Sequence, residues 1–179
     1  MATTLRELAK RCGVRGGSIY YHFSSKEEIL YQIMDYTMNS LLSNVKERVR
    51  HEKDPLTKLR EAVRFHIEYH IESPNETFVA DTEIRALSKR NYRRIVRKRK
   101  SYENIFIEIL KESIENGIMG LENVKLSAIA ILQMCTGVSY WFREDGPLTV
   151  NEIADAYVDF ISWGVIGKAN RQRVSHRKC

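Results

Sequence analysis

The sequence predicts an all-α protein, and three observations carry that prediction. Apolar residues recur at helical spacing in segment after segment, strand-like alternation is absent, and long stretches pass without a helix breaker, there being 3 prolines and 9 glycines in 179 residues. A chain of this length buries a substantial core. With 43% hydrophobic and 29% charged residues it has a globular composition rather than a disordered one.

The elements follow in order. Thr4 is placed to cap a short helix, with Glu7 three residues on at the capping-box spacing. Leu5, Leu8, Ala9 and Cys12 form its apolar stripe, and Gly13 ends it at a position that needs left-handed dihedrals. After Gly13-Val14-Arg15, a second short helix is expected from Gly16 or Gly17 to His22. Ile19 and Phe23 face inward with Val14, while Ser18, Tyr21 and His22 face outward. Helix, glycine turn and helix within 20 residues is the helix-turn-helix pattern. Ser24 or Ser25 caps a longer helix that continues to about Arg50, with Glu27 and Glu28 near its positive dipole end.

Asp54-Pro55 opens the next helix, striped by Leu59, Ala62, Val63, His66 and His70 and ended at Ser73-Pro74. A short helix is expected over 75–87 and a long one over 91–116, with Tyr102, Phe106, Ile109, Leu110 and Ile114 on one face and Gly117 beyond its end. An apolar helix over 123–142 stops at Glu144-Asp145-Gly146-Pro147. The last helix starts at Thr149 or Asn151 and runs to about 166, with Ile153, Tyr157, Phe160, Ile161 and Gly164 repeating at helical spacing.

Composition narrows the function classes. Cys12, Cys135 and Cys179 are scattered and odd in number, which argues against a disulfide framework, and no CxxC pair suggests zinc. No signal peptide is legible at the N-terminus. The longest uncharged run, 17 residues from Leu126 to Phe142, carries Ser127, Gln133, Thr136 and Ser139, which suits a buried helix better than a membrane span. A cytoplasmic protein with no membrane partner is expected. His66 and His70 stand four apart, a spacing that can bind metal, but HIEYH puts Glu68 where no zinc-protease pattern has it. Core or pocket histidines are the better reading, with a helical metal-binding protein or enzyme as the alternative. No catalytic residue, metal or cofactor is expected.

Net charge is +6, with residues 1–26 holding five Lys or Arg against one acid and residues 89–100, KRNYRRIVRKRK, holding eight bases and no acid. Lys168, Arg171, Arg173, Arg177 and Lys178 form a third group. Such clusters are either phosphate-binding surfaces or solvated faces and tails. The stretch VRGGSIYYHF fits the first use: Gly16 and Gly17 leave a path for a phosphate backbone, Tyr20, Tyr21, His22 and Lys26 grip it, and Arg15, Gly17, Ser18 and Tyr21 reach bases. A tight corner packed on its own core is the other reading.

The stretch TLRELAKRCGVRGGSIYYHFSSKEEIL closely resembles the DNA-binding segment of the TetR family of bacterial and archaeal transcriptional regulators, with caps, glycine, aromatics and Lys-Glu all in register. The resemblance implies DNA contacts at Thr4, Arg15, Gly16, Gly17, Ser18, Tyr20, Tyr21, His22 and Lys26. It also implies a helix-turn-helix domain over 1–27 (motif about 4–23), a connecting helix over 28–50, a helical ligand-binding and dimerisation domain over 51–168, and a basic tail over 169–179. Family members carry a further helix ahead of the Thr-led one; with the sequence starting at Met1, the Leu5 and Leu8 stripe is expected to lack its cover. The Ile153, Tyr157, Phe160, Ile161 and Gly164 stripe suits either a core or a homodimer interface, and the resemblance favours the interface. A dimer implies a palindromic double-stranded operator.

SYWFREDGPLT is similar to the corresponding stretch of TetR-type repressors of lipid and sterol breakdown that sense acyl-CoA thioesters. That implies an apolar effector that releases DNA, an apolar tunnel lined by His66, His70, Tyr102, Phe106, Met134, Tyr140 and Trp141, and CoA phosphates held by the 89–100 segment. Plain core and plain surface are the competing readings of the same residues.

Overall fold

The computed structural model describes residues 4–161. Helix α1, Leu5–Arg11, opens on a complete capping box: the Thr4 hydroxyl accepts the Glu7 N–H at 3.2 Å and the Glu7 carboxylate accepts the Thr4 N–H at 2.8 Å. Gly13 follows at φ +67°, where a side chain would be strained. Helix α2, Gly16–His22, packs on α1. Helix α3, Lys26–Arg50, is capped by Ser25 and runs unbroken for 25 residues, about 37 Å at 1.5 Å per residue.

Helix α4, Pro55–Glu72, starts with Asp54 accepting the Thr57 N–H at 2.8 Å and proline in its first turn. Helix α5, Pro74–Thr82, leads through a 3₁₀ turn, Ile84–Ala86, into α6, Lys89–Glu115, which ends before Gly117 at φ +68°. Helix α7, Val124–Thr136, is capped by Asn123, and α8, Val138–Trp141, follows directly. The chain is again helical over 150–161, opened by a second capping box between Thr149 and Glu152.

The body core forms where α3, α4, α6 and α7 meet. Met34, Met38 and Val45 of α3 pack with Leu59, Val63 and Ile67 of α4, Ile95, Phe106 and Leu110 of α6, and Ala128, Ile131 and Cys135 of α7. Full burial of such side chains stabilises by about 1.5–3 kcal/mol each. Leu5 and Ala9 are buried apart from this cluster, in a small head core of their own. Polar ties link the elements: Arg48 to Glu68 at 2.9 Å (α3 to α4), Lys58 to Glu112 at 2.7 Å (α4 to α6), Lys98 to Asp35 at 2.6 Å (α6 to α3), and Arg64 to Asp155. Among the described residues no helix is long and apolar enough to cross a membrane.

Four expectations need correction. The apolar segment 123–142 is not one helix. It breaks at Gly137, where the Tyr140 N–H bonds the Gly137 carbonyl and the Ser139 hydroxyl takes the Thr136 carbonyl, diverting a helical acceptor to a side chain. The 75–87 segment ends as a helix at Thr82, because the Thr82 hydroxyl back-bonds to Phe78 and the chain tightens into the 3₁₀ turn. Val14 does not face inward: it is 46% exposed beside an open hollow, with only its N–H engaged, to the Ala9 carbonyl. The α1 stripe is not left bare, since Leu5 and Ala9 are buried and Leu8 is half-buried. Gly164 and the basic tail lie outside the described residues.

A polar chain crosses the core. His66 Nδ1 lies 3.1 Å from the Tyr102 hydroxyl and Nε2 lies 3.0 Å from the Thr136 hydroxyl, so one imidazole joins α4 to α6 and to α7. His70 Nδ1–H donates to the His66 carbonyl at 2.8 Å, and the two rings sit 4.1 Å apart. Burial holds His66 well below the ordinary histidine value, with the neighbouring His70 adding to the effect. Burial lowers His70 as well, against the opposing pull of the His66 carbonyl and Asp81. Burial also pushes the Cys135 thiol up to about 12, which makes it a packing residue and not a nucleophile.

Both histidines are neutral in the folded protein at pH 7, and the unfolded chain takes up their protons near pH 6.5. Stability is therefore full above that pH and is lost as pH falls below it toward the depressed folded values. Thermal melts from pH 7.5 to 5.5 should show a falling midpoint. His66→Leu should make that fall shallower while costing about 1–3 kcal/mol at pH 7.5, because the Tyr102 hydroxyl loses its buried partner. An equally steep fall in the variant would show that His66 does not carry it.

Candidate functional site

The head presents one continuous polar surface. Arg15 precedes α2 in extended conformation with its side chain making no cap, Ser18 lies exposed one turn on, and Tyr20, Tyr21 and His22 stand at the far end of the same short helix. Tyr21 is 86% exposed, a high value for a large ring, and meets His22 edge-on at 5.1 Å. Ile19 and Phe23 turn inward, which fixes the helix so that the polar positions project. Arg15, Gly17, Ser18, Tyr20, Tyr21, His22 and Lys26 are thus exposed on or beside α2. Thr4 is already committed: its hydroxyl accepts from Glu7 N–H and donates to the Glu7 carboxylate at 3.0 Å.

Gly17 is informative for what it lacks. Its φ is not left-handed, and a Cβ built there meets nothing within 4 Å. Neither backbone conformation nor packing inside the chain calls for glycine at this second position of α2.

One residue that the sequence pattern did not single out for this role ties head to body. Glu27 Oε1, at the start of α3, accepts the Ser88 N–H at 2.9 Å and the Asn91 side-chain amide at 3.1 Å. Ser88 in turn caps α6. The Ser88 N–H, more than the smaller effect of Asn91, holds Glu27 below its usual value against a modest burial penalty, so the carboxylate is ionised at neutral pH. The legible signal was Ser88 three residues ahead of Asn91, a cap that starts α6 two residues earlier than its apolar stripe suggests.

The residues expected to line an effector tunnel divide into two groups. His66, His70, Tyr102 and Phe106 converge between α4 and α6, with His66 in ring contact with His70, Tyr102 and Phe106. Tyr140 and Trp141 do not join them: they are 63% and 49% exposed on α8. Met134 is half-buried and lines a separate groove of about 360 Å³ with Leu121, Leu126, Ala130 and Phe160. No group of three or more His, Cys, Asp or Glu able to hold a metal occurs among the described residues, and three of the four nitrogens of His66 and His70 are taken by hydrogen bonds.

The expected interface stripe also divides. Ile153 and Ile161 are buried in the body core and Tyr157 is partly buried against it, whereas Phe160 projects, 68% exposed. Leu126, Ile129, Ala130 and Gln133 of α7 are also exposed and continue toward Tyr140 and Trp141, a stripe at i, i+3, i+4, i+7 spacing on the face opposite Ala128, Ile131 and Cys135. The sequence carried this second stripe in the same helix, but an all-round apolar segment does not announce which of its faces is covered.

Comparison with known proteins agrees with this architecture. Residues 1–33 match the family described as bacterial regulatory proteins, tetR family, and residues 52–165 match the tetracyclin repressor-like C-terminal domain. The HTH-type transcriptional repressor KstR2 of Mycobacterium tuberculosis is 26% identical over 172 residues, spanning 92% of this chain and 83% of the relative. Among solved structures, the TetR family transcriptional regulator PfmR from Thermus thermophilus superposes with a TM-score of 0.82 at 32% identity, covering 89% of this chain and 87% of that one. AibR in complex with isovaleryl coenzyme A and operator DNA gives 0.81 at 26% identity, covering 88% and 86%. An exposed helix-turn-helix head on a helical body, matched in both halves, identifies the chain as a member of the TetR family of transcriptional regulators.

Proposed function

We propose that the chain is a ligand-responsive repressor that binds a palindromic operator as a homodimer and is released by a small apolar effector of the acyl-CoA thioester class. The observation that carries the DNA reading is the open space at Gly17 between Arg15 and Ser18, beside the outward Tyr20, Tyr21 and His22. A duplex fills that space: phosphates approach the α2 backbone while Arg15 and Ser18 reach base edges in the major groove. Thr4 acts by holding α1 in place.

The α7 stripe with Phe160 supports self-association, because an exposed apolar stripe of this length is costly on an isolated monomer. Two heads joined through that face address two half-sites on successive turns of the duplex.

The effector reading rests on AibR, whose structure holds isovaleryl coenzyme A and operator DNA, and on the His66 bridge. An acyl group entering between α4, α6 and α7 separates Thr136 from His66, at the point where the α7–α8 backbone is already broken. The α6 helix that carries Tyr102 and Phe106 also carries Ser88 at its cap, bonded to Glu27. Displacement of α6 therefore reaches the head through that carboxylate, and an effector that prefers the displaced state lowers operator affinity.

Three outcomes are expected. Gly17→Ala should melt no lower than wild type, since its Cβ meets nothing within 4 Å, yet bind the palindrome from the chain's own upstream region at least about tenfold more weakly by fluorescence anisotropy; unchanged binding would remove the argument for DNA at that face. Leu126→Asp should shift sedimentation from dimer to monomer without loss of helicity, and a variant that remains dimeric would exclude the α7 stripe as the interface. Isovaleryl-CoA or a longer acyl-CoA should raise the melting temperature and release the operator while free CoA does neither, an assay in which equal action of free CoA would contradict an acyl-sensing core.

A further inference from the structure

The segment between Glu83 and Glu103 contains no acid, and its bases divide by face. Three are engaged within the protein: Arg94 stacks over the Tyr31 ring at 5.9 Å, Lys98 bonds Asp35 and Asn39 at 2.6 Å, and Arg99 bonds the Ala80 carbonyl and pairs with Asp81 at 3.5 Å. The others face solvent. Arg90, Arg93, Arg97 and Lys100 are all exposed, at spacings of three, four and three residues that set them in one row along α6. None of the four has an acidic partner among the described residues. Like charges at these spacings repel each other along a helix, so folding does not account for the row.

Its position is defined. The Ser88 N–H and the Asn91 amide are bonded to Glu27, directly after Lys26 at the start of α3. The first turn of α6 therefore lies beside the start of α3, which three residues separate from the end of α2, and a rise of 1.5 Å per residue puts Arg93 only about 8 Å along the axis from Ser88, with the whole row about 15 Å long. A compact phosphate headgroup is held by two or three convergent bases. An extended row of one sign fits a partner whose phosphates repeat, and a duplex presents one charge per roughly 1.7 Å of axis.

We infer that the exposed α6 row, Arg90, Arg93, Arg97 and Lys100, is a second phosphate-binding surface that holds duplex DNA flanking the half-site engaged by the head. The inference rests on the operator-binding reading above. It adds affinity without sequence preference, because contacts to phosphate carry none.

The test uses the full-length chain and two duplexes, the protected palindrome alone and the same palindrome with ten base pairs added on each side, titrated by anisotropy across a salt range. Wild type should bind the longer duplex more tightly and with a steeper dependence of log K on log salt. The triple variant R90Q/R93Q/R97Q, whose arginines make no hydrogen bond or ion pair among the described residues, should melt as wild type and match it on the short duplex. On the long duplex it should bind at least about fivefold more weakly near 0.15 M salt, with a slope lower by about one unit for each arginine that reached a phosphate. An unchanged slope on the long duplex overturns the inference, as does equal weakening on both duplexes. Normal DNA binding with impaired acyl-CoA-induced release would assign the row to the effector's phosphates and overturn it too. If wild type shows no preference for the palindrome at all, the operator reading fails and this inference fails with it.

Discussion

The rest of the structure depends on the continuity of α3. A helix of 25 residues resists bending because a sharp kink sacrifices ladder hydrogen bonds, and this one has no proline or glycine at which to yield. Three residues separate its start from the end of α2, and its later turns, through Met34, Met38, Leu41 and Val45, belong to the body core. The head is therefore joined to the body through a short connection into that helix. Glu27 makes that coupling two-point: α3 carries it, and its carboxylate grips the start of α6.

Within the body, an apolar core is crossed by a single chain of polar groups. Tyr102, His66 and Thr136 satisfy one another across three helices, and His70 closes on the His66 carbonyl. A buried polar chain is stable only while every member keeps its partner. That requirement specifies how α4, α6 and α7 register against one another more sharply than the surrounding leucines and isoleucines do.

The surface shows the complementary economy. Several of the internal ion pairs, such as Lys98 with Asp35 and Arg48 with Glu68, join two elements. Among the exposed residues, Arg90, Arg93, Arg97 and Lys100 line one face of α6, Leu126 and Ile129 lie on α7 with Phe160 beside them, and Tyr20 and Tyr21 stand on α2.

Local signals were enough for most of the architecture. Caps and breakers at Thr4, Gly13, Ser25, Asp54, Ser73 and Thr149 are short-range chemistry, legible because each satisfies or strains the backbone within four residues. The exposed set on α2 was legible for the same reason, since Ile19 and Phe23 state which way that helix turns. The divided fates of Ile153, Phe160, Tyr102 and Tyr140 were not, because residues of one chemistry can be core or surface and only the neighbouring helices decide. The helix break at Gly137 depended on Ser139 choosing a backbone acceptor, and Glu27's role on a partner 61 positions away. By itself the sequence determined the elements and the reading head; the tertiary structure alone decided which apolar faces are covered, which charges are paired and how head and body are joined, because those outcomes belong to contacts between helices and not to any one of them.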